Sequence, residues 1–308
     1  MPHPLLDRDV VDLAPEQYLR SVGTVFAEFG TPTQDSGNVS YGVQIGAERY
    51  FAKTAGLPDN PRPALGHPAR IALLRNAVRL RKSCDHVTLP RLYRVVESPA
   101  GPLLIYEWLD GDLLGTPRTQ RDNPASAFQR FRSLPADTIL GCLDAVYDLH
   151  DQIARAGWIA VDFYDGCLIY DFASGRLGVV DLDMYARGPF RNSMGRMFGS
   201  TRFMAPEEFE LGALIDERTN VFVMGRTALV LLSDDTLDAD AFRGSLALFQ
   251  VVAKACDPRR SHRFDSMAAF CNAWRTARAG RARSGDSSPP KSTRVPPKSR
   301  ARRYNPAL

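Results

Sequence analysis

The sequence predicts an α+β fold of two lobes, a small antiparallel sheet followed by a larger and mainly helical part. Strand-like runs separated by turn residues fill most of residues 21–109. Helical periodicity dominates residues 110–278, where apolar residues recur at three- and four-residue steps. The acidic stretch Asp110-Gly-Asp112 marks the change between the two patterns. At 308 residues the chain is long enough for one or two such units.

The first lobe is predicted to hold five strands and one main helix after an N-terminal extension, residues 1–20, with a short helix after Pro15. Apolar, β-branched and aromatic residues bounded by Gly, Pro and Asn indicate the strands. They are expected within residues 22–30, 36–46, 48–55, 91–98 and 101–109. The helix is expected over about residues 69–82, where Ile71, Leu74 and Val78 form one apolar stripe.

The second lobe is predicted from its helical runs. They lie at residues 137–156, about 221–232, 241–255 and 266–278. Between the first two runs, residues 157–183 contain strand-like segments that carry two acid sites, Asp162 and Asp181 with Asp183. We expect one hairpin to bring both sites to a common edge. There one acid could orient a hydroxyl while the other holds a divalent metal, as in phosphoryl transfer.

Composition narrows the class of protein. Apolar content of 44% and charged content of 24% are ordinary for a soluble globular protein, and no apolar run reaches the roughly 18 residues that a membrane span needs. The N-terminus lacks the basic flank and apolar centre of a signal peptide. The five cysteines include no CxxC pair, so we expect free thiols in a reducing compartment. These features together indicate a cytoplasmic protein.

Charge is unevenly distributed along the chain. Residues 281–308 contain eight basic side chains and one acid, a net charge of +7. Because the whole chain has a net charge of +4, the remaining residues have a net charge of −3. A mildly acidic body is not expected to bind nucleic acid. Residues 279–308, rich in Ser, Pro and Arg, are predicted to form a disordered basic tail that either stays solvated or contacts an acidic partner. Arginine outnumbers lysine 34 to 5, so a chemistry that needs lysine has few candidates.

Residues 199–207, GSTRFMAPE, resemble the end of the activation segment of eukaryotic-like Ser/Thr protein kinases, in which Gly-Thr-x-x-Tyr-Met-Ala-Pro-Glu leads into the substrate-binding helices. Only Ser200 and Phe203 depart from that pattern. The preceding and following elements occur in the kinase order over roughly residues 20–278. The resemblance implies a protein-kinase-like fold and an enzyme, cytoplasmic and dependent on ATP and Mg²⁺, that phosphorylates serine or threonine of a protein substrate.

The resemblance assigns roles in the first lobe. Lys53, in Tyr-Phe-Ala-Lys, is expected to bind the α- and β-phosphates of ATP. Gly37, Val39 and Gly42 resemble the loop that covers the phosphates, with Val39 in place of its middle glycine. The remaining ATP-binding residues are expected in the hinge between the lobes. There the backbone of Glu107 and Leu109 would hold the adenine edge, and Asp112 would reach the ribose.

In the second lobe, Asp162 is expected to orient the substrate hydroxyl, with Ser200 beside it. Asp181 is favoured as the metal-binding acid because the alternation of Leu177 and Val179 aims it inward, and Asp183 is expected to supply a further metal oxygen. Three residues are expected to be structural. Glu207 would pair with Arg263 or Arg260, and Asn220 would accept hydrogen bonds from the catalytic loop.

Several positions depart from the family pattern. Ala77 stands where a glutamate usually orients the lysine, and Cys167 replaces an asparagine that binds a second metal. Val161 and Tyr164 replace an arginine and a lysine of the catalytic loop. Because Lys53, Asp162 and Asp181 are all present, we expect a divergent but active kinase with a reduced rate. Two alternatives stay open: a nucleotide-binding pseudokinase scaffold, and a small-molecule phosphotransferase of similar fold, which Asp183 favours and the Ala-Pro-Glu segment opposes.

Overall fold

The computed structural model describes residues 3–30, 37–59 and 64–283. Within them the chain is α+β, with a five-stranded antiparallel sheet and seven α-helices. We call the residues before Asp110 the sheet part and those from Asp110 onward the helical part. The sheet part contains α1 (Pro15–Val22), β1 (Thr24–Phe29), β2 (Val39–Ile45), β3 (Glu48–Thr54), α2 (His67–Ser83), β4 (Leu92–Ser98) and β5 (Gly101–Glu107). All five predicted strands and the main helix of this part are confirmed.

The sheet has the strand order β1-β2-β3-β5-β4, and every neighbouring pair is antiparallel. Alternate residues of a strand point to opposite faces. In β5, Leu103 and Ile105 face a cluster that includes Leu5 of the N-terminal segment, whereas Leu104 packs with Leu74 and other residues of α2. The sheet is therefore covered on one face by the N-terminal segment and on the other by α2.

The N-terminal extension is part of this packing. Val10 forms a parallel bridge with Glu97 of β4, and the Val11 and Glu97 amides donate to the Glu97 and Asp9 carbonyls at 2.9 and 2.8 Å. Because β4 lies at the edge of the sheet, these bonds satisfy backbone groups that would otherwise be open for pairing with another chain.

The helical part surrounds a large apolar core. Its helices are α3 (Ala127–Arg132), α4 (Ala136–Arg155), α5 (Glu217–Leu232), α6 (Leu246–Ala255) and α7 (Met267–Arg283). Its short strands are β6 (Asp112–Leu113), β7 (Trp158–Ile159), β8 (Leu168–Tyr170), β9 (Leu177–Val179), β10 (Ala186–Arg187), β11 (Phe190–Arg191) and β12 (Leu214–Ile215). This arrangement of a sheet part and a helical part is compatible with the two predicted lobes. Within the described ranges, no helix combines the length and hydrophobicity that crossing a bilayer requires.

Three helix predictions need correction. Helix α6 begins at Leu246 rather than Ala241, because the Ser245 hydroxyl caps its first turn by accepting from the Leu248 amide at 3.3 Å. Helix α7 continues to Arg283 instead of ending at Arg278, and the rest of the predicted tail, residues 284–308, lies outside the described residues. Helix α3 was not predicted, because it is only six residues long and follows a polar segment.

A buried ion pair braces the helical part. Glu207 and Arg263 are 4% and 3% exposed, and Arg263 Nη1 and Nη2 donate to Glu207 Oε1 and Oε2 at 2.7 and 3.0 Å. The Thr219 hydroxyl donates to the same Oε1 at 2.9 Å. Of the two candidate partners, Arg263 therefore forms the two-armed bond, while Arg260 pairs with Asp216 at 2.7 Å.

Removing Arg263 should destabilise the fold strongly, because the buried Glu207 carboxylate loses its two-armed bond and keeps only Arg260 Nη1 as a cation, at 3.8 Å. We expect Arg263→Ala to lower the free energy of unfolding by about 3–5 kcal/mol in urea denaturation. The matched control is Arg259→Ala, since Arg259 pairs with Asp257 at the surface with a side chain 69% exposed. That change should cost less than about 1 kcal/mol. Equal losses for the two variants would contradict a structural role specific to the buried pair.

Candidate functional site

A cleft with a volume of about 650 Å³ lies between the sheet part and the helical part. The sheet part contributes residues of β3, α2 and β5, and the helical part contributes the segments around β6, β8 and β9. Its lining residues include Lys53, Ala77, Tyr106, Glu107, Trp108, Leu109, Arg121, Tyr164, Asp181, Asp183 and Ser200. The cleft therefore joins one apolar wall to a charged one.

The end of β5 and the segment after it form one side of the cleft. Glu107 pairs with Arg176 at 2.8 Å. Burial opposes ionisation of Glu107, but Arg176 and the Arg91 amide outweigh it and hold the pKa of the carboxyl below its usual value. The Leu109 side chain fills the space above Gly178, where a Cβ would lie 2.4 Å from Leu109 Cδ1. Glycine at 178 thus allows the wall to close onto β9.

Asp112 does not join this wall. Its Oδ2 pairs with Arg130 Nη1 at 2.7 Å, and it is not among the residues that line the cleft within the described chain. Of the three hinge residues predicted to bind ATP, Glu107 and Leu109 therefore line the cleft and Asp112 does not. The sequence could not reveal this, because Arg130 belongs to the unpredicted helix α3.

Lys53 is the cation at the centre of the cleft. It lies near the end of β3, is 7% exposed, and donates from Nζ to Asp181 Oδ1 at 2.7 Å. Asp183 Oδ2 lies 2.5 Å from the same nitrogen. Burial alone would lower the pKa of Lys53, but the two carboxylates outweigh it and raise that pKa above the usual value. Lys53 is therefore charged and held by two acids.

The two acids differ in environment. The Asp181 side chain is 58% exposed, whereas that of Asp183 is 9% exposed. Lys53 lowers the pKa of Asp181, while burial raises the pKa of Asp183 against the opposing effect of Lys53. The prediction that strand alternation aims Asp181 inward, like Leu177 and Val179, is wrong. Strand β9 ends at Val179, and Asp181 has a left-handed backbone with φ +60°. A left-handed residue turns the chain so that Asp181 and Asp183 both reach Lys53.

Helix α2 contributes no acid to the cleft. Ala77, the residue in the position of the implied glutamate, is 4% exposed and lines the cavity. The preceding residue, Asn76, instead holds the acid segment by its amide nitrogen, which donates to the Asp183 and Tyr185 carbonyls at 2.9 and 2.5 Å. The orientation of Lys53, which the sequence left open, is thus provided by Asp183, and the link from α2 to that segment is provided by Asn76. Sequence reasoning missed Asn76 because an amide on a helix carries no signal of its own.

Asp162 lies at the open end of the β8–β9 hairpin, as predicted. Strands β8 and β9 are antiparallel, with Leu168 opposite Val179, so the segment before one and the segment after the other emerge together. Asp162 has φ +62°, a conformation that aspartate tolerates. Burial, and to a lesser extent the Asp181 carboxylate, raise the pKa of Asp162 to about 7. This acid is therefore poised to exchange a proton near neutral pH.

Ser200 lines the cleft, whereas Asp162 is not among the lining residues in the described chain. Gly199, the residue before Ser200, packs close to Asp162, because a Cβ atom added to Gly199 would lie 3.7 Å from Asp162 Oδ1. Cys167, 1% exposed, donates its thiol to the Asp162 carbonyl at 3.5 Å. Burial raises the pKa of the Cys167 thiol well above its usual value, so it supports the loop as a neutral group.

The predicted phosphate-covering residues occupy different settings. Gly42 lies inside β2, opposite Ala27 and Phe51, within the predicted strand of residues 36–46 and not in a loop. Its lack of a side chain makes room for aromatic rings, since a Cβ would lie 2.7 Å from Phe26 Cζ. Gly37 precedes the strand with φ +85°, and its carbonyl accepts from Arg70.

Val39 begins β2, and its carbonyl accepts the Thr54 hydroxyl at 2.7 Å. The connection from β1 to β2 is residues 30–38, of which 31–36 lie outside the described residues. None of Gly37, Val39 and Gly42 lines the cleft as the described chain defines it. In the sequence, a glycine within a strand and a glycine in a loop look alike. The packing of the Phe26 ring against Gly42 shows that Gly42 is of the first kind.

Asn220 does not make the predicted bonds. It lies in α5, is fully buried, and neither its amide nitrogen nor its oxygen has a hydrogen-bond partner among the described residues. Its expected acceptor role toward the catalytic loop is therefore not observed. The sequence could not establish whether the side chain reaches the loop.

Carboxylate oxygens suit Mg²⁺, which binds proteins through one or two acids and completes its shell with water and phosphates. Within the described ranges, no group of three or more His, Cys, Asp or Glu side chains is arranged to hold a metal ion. Asp181 and Asp183, the acids beside Lys53, match the one or two protein carboxylates that Mg²⁺ requires. Asp183 Oδ2 is buried against the Lys53 ammonium group at 2.5 Å, and Asp181 is largely open to the cleft. The donor set fits a magnesium–phosphate complex better than a metal held by protein alone.

Searches with this sequence find no matching protein-family model and no matching curated protein.

The raised pKa of Asp162 makes the stability depend on pH in a defined direction. An unfolded aspartate loses its proton near pH 4, whereas Asp162 keeps it to about pH 7, so its contribution to stability falls as pH rises between these values. We expect Asp162→Asn to be more stable than wild type at pH 8, on the order of 2 kcal/mol, with the gain shrinking toward pH 4. Chemical denaturation across pH measures this.

Asp171→Asn is the control for this pH series, because hydrogen bonds from Ser174 and the Ala173 amide lower the pKa of Asp171. That acid stabilises the fold above the pH where the unfolded group ionises, so Asp171→Asn should lose stability at pH 8 rather than gain it. A gain for Asp162→Asn that is the same at pH 5 and pH 8 would contradict the raised pKa.

A double-mutant cycle should show that Lys53 and Asp183 are coupled. Lys53→Met leaves the buried Asp183 carboxylate without its cation, so adding Asp183→Asn should recover stability, with a coupling of about 1–3 kcal/mol. The exposed Asp181 provides the control, and its coupling to Lys53 should be below about 1 kcal/mol. Urea denaturation of the single and double variants gives both values. A Lys53→Met/Asp183→Asn protein less stable than either single variant would overturn this interpretation.

Proposed function

We propose that the chain is an ATP- and Mg²⁺-dependent protein serine/threonine kinase with a divergent active site on a two-lobed, protein-kinase-like fold. The observation that carries the proposal is the convergence of Lys53, Asp181 and Asp183 in one cleft, with Asp162 beside it at the same end of the β8–β9 hairpin. A lysine from a sheet and acids from a neighbouring hairpin are the groups that phosphoryl transfer requires. The resemblance of residues 199–207 to a kinase activation segment supports a protein as the acceptor.

The cleft offers a place for the nucleotide base. Its apolar wall includes Leu80, Tyr106 and Val179, and the backbone of Glu107 and Leu109 borders it. In the proposed complex the adenine lies against these side chains, with its edge on the Glu107 carbonyl and the Leu109 amide. The ribose contact assigned to Asp112 is not retained, because that acid is paired with Arg130.

Lys53 binds the α- and β-phosphates in this proposal, and Asp183 keeps its ammonium group in the cleft. Asp183 thereby takes the place of the helix glutamate, at whose position Ala77 stands. The more exposed Asp181 is the principal residue that would hold Mg²⁺, with the Asp183 carboxylate as a further source of oxygen. When bound, the metal would neutralise charge on the phosphates. The chain's own contribution is to hold the phosphate-binding cation and the metal-binding oxygens within one small volume.

Asp162 orients the acceptor hydroxyl and takes up its proton. As the hydroxyl oxygen bonds to the γ-phosphorus, the bond from that phosphorus to the bridging oxygen of ADP breaks, and the released proton passes to the Asp162 carboxylate. A pKa of about 7 leaves a substantial share of Asp162 ionised at neutral pH and makes it a stronger base than an ordinary aspartate. Gly199, next to Ser200, keeps the approach to Asp162 open.

One observation favours a second candidate, a nucleotide-binding scaffold without transfer activity. Cys167 is buried and neutral where the resemblance implies a second metal ligand, so the metal site has fewer oxygen donors than the family pattern. The scaffold and the kinase share nucleotide binding and differ only in transfer.

Transfer of labelled phosphate from ATP to the protein itself or to generic protein substrates tests the proposal. We expect Asp162→Ala to reduce transfer by about 100-fold or more while ATP still binds, and Lys53→Ala to weaken both ATP binding and transfer. The matched control is Lys82→Ala, an exposed lysine near the end of α2, which should retain both. If the wild type binds ATP but transfers no phosphate to any acceptor, the scaffold is favoured.

A further inference from the structure

Arg121 is a cleft residue to which the sequence assigned no role. It follows a short 3₁₀ turn, residues Arg118–Gln120, and lines the same cavity as Ser200, Tyr164 and Lys53. Within the ranges that the structure describes, its guanidinium forms no ion pair, and its Nε is buried without a hydrogen-bond partner. The residue is partly buried, and a guanidinium nitrogen that is shielded from water usually has a hydrogen-bond partner.

The acids nearest to Arg121 are already engaged. Asp165 pairs with Arg202 at 3.1 Å, and Arg202 also pairs with Asp235 at 3.2 Å. Asp235 in turn binds Arg226. The cluster around Arg121 therefore contains three arginines, Arg121, Arg202 and Arg226, against two aspartates, and it keeps a net positive charge.

The electrostatic surroundings agree with that geometry. Burial lowers the pKa of Arg121, and the nearby Arg202 and Arg118 act in the same direction against Asp165 and Asp235. Arginine stays protonated despite such a shift. An anion brought to Arg121 would therefore relieve the cost of an incompletely paired cation and gain a charge-assisted, two-armed hydrogen bond.

The position of Arg121 indicates which ligand carries the anion. It lines the same cavity as Ser200 and Tyr164, and Ser200 follows Gly199, which lies against Asp162. The phosphates of a nucleotide already have Lys53 as a cation on the sheet side. Arg121 comes from the helical part, which also carries Asp162, and it is close enough to Asp165 to counteract the burial that raises the pKa of that acid.

We propose that Arg121 is an acceptor-side binding site for an anionic group, so that the preferred protein substrates carry a carboxylate or a phosphorylated side chain close to the serine or threonine that is modified. This inference rests on the proposed kinase function and adds the substrate class. The two sources of the anion share the same chemistry, namely oxygens that accept two parallel N–H bonds from a guanidinium group.

Matched peptides test this site. Each contains one serine, flanked by glutamate, glutamine, lysine or phosphoserine. With ATP saturating, the wild type should phosphorylate the glutamate peptide with a kcat/KM about tenfold above that of the glutamine peptide. Arg121→Gln should abolish this difference, and Arg121→Glu should reverse it in favour of the lysine peptide. The KM for ATP should change less than about twofold, which separates an acceptor site from a nucleotide site.

Arg118→Glu is the control because Arg118 is an exposed arginine of the same turn and does not line the cleft. It makes the same change in net charge and should leave the preference intact, whereas a general field effect would shift both variants equally. Melting temperatures check that Arg121→Gln is folded, and Arg121→Lys should keep part of the preference. A stronger response to phosphoserine than to glutamate identifies a phosphorylated substrate, and the opposite order identifies a carboxylate.

Failure of the inference and failure of the proposed function give different results. Transfer to all peptides at equal rates, or equal shifts for Arg121→Glu and Arg118→Glu, overturns the inference and leaves the kinase intact. If no peptide is phosphorylated, fluorescence anisotropy of the labelled glutamate peptide decides. Binding that Arg121→Gln abolishes supports the anion site without kinase activity, and absent or unchanged binding overturns the site.

Discussion

The ammonium group of Lys53 is the point on which the rest of the cleft depends. It lies 2.7 Å from Asp181 Oδ1 and 2.5 Å from Asp183 Oδ2, and thereby ties strand β3 of the sheet part to the segment after β9 in the helical part. A buried lysine requires such compensation, and the chain has few lysines with which to build it. The left-handed backbone at Asp181 and the Asn76 bonds from α2 both hold the acid segment in reach of this cation.

Much of the fold could be predicted because its signals are local. The five strands of the sheet, helix α2 and helix α4 follow from period-two and period-3.6 patterns with clear turn residues between them. Where the signal was short or mixed, prediction was wrong. Helix α3 is too brief to show periodicity, and helix α6 begins at Leu246 rather than at Ala241.

For the candidate site, residue types were more predictable than partners. The hairpin brings Asp162 and Asp181 to one end as expected, but the pleat argument failed at Asp181 because a single left-handed residue ends the alternation. Contacts between distant segments, such as that of Asp112 with Arg130, carry no signal in one sequence. The same holds for Asn220, whose side chain has no hydrogen-bond partner in the described part of the chain. Arg121 could not be recognised as a site residue from the sequence, because it lies in a polar segment. The abundance of arginine, 34 residues against five lysines, also removed any contrast that could have marked it.

The central claim is that Asp183 supplies the charge that an acid on α2 would otherwise bring to Lys53, and relocating that charge tests it most directly. Titration calorimetry with Mg²⁺ and ATP would compare wild type, Asp183→Asn, Asp183→Asn/Ala77→Glu and the neutral control Asp183→Asn/Ala77→Gln. The account predicts that Asp183→Asn weakens ATP binding by about tenfold or more, that glutamate at position 77 restores most of the affinity, and that glutamine does not. Unchanged affinity in Asp183→Asn, or equal recovery with glutamine and glutamate, would contradict it.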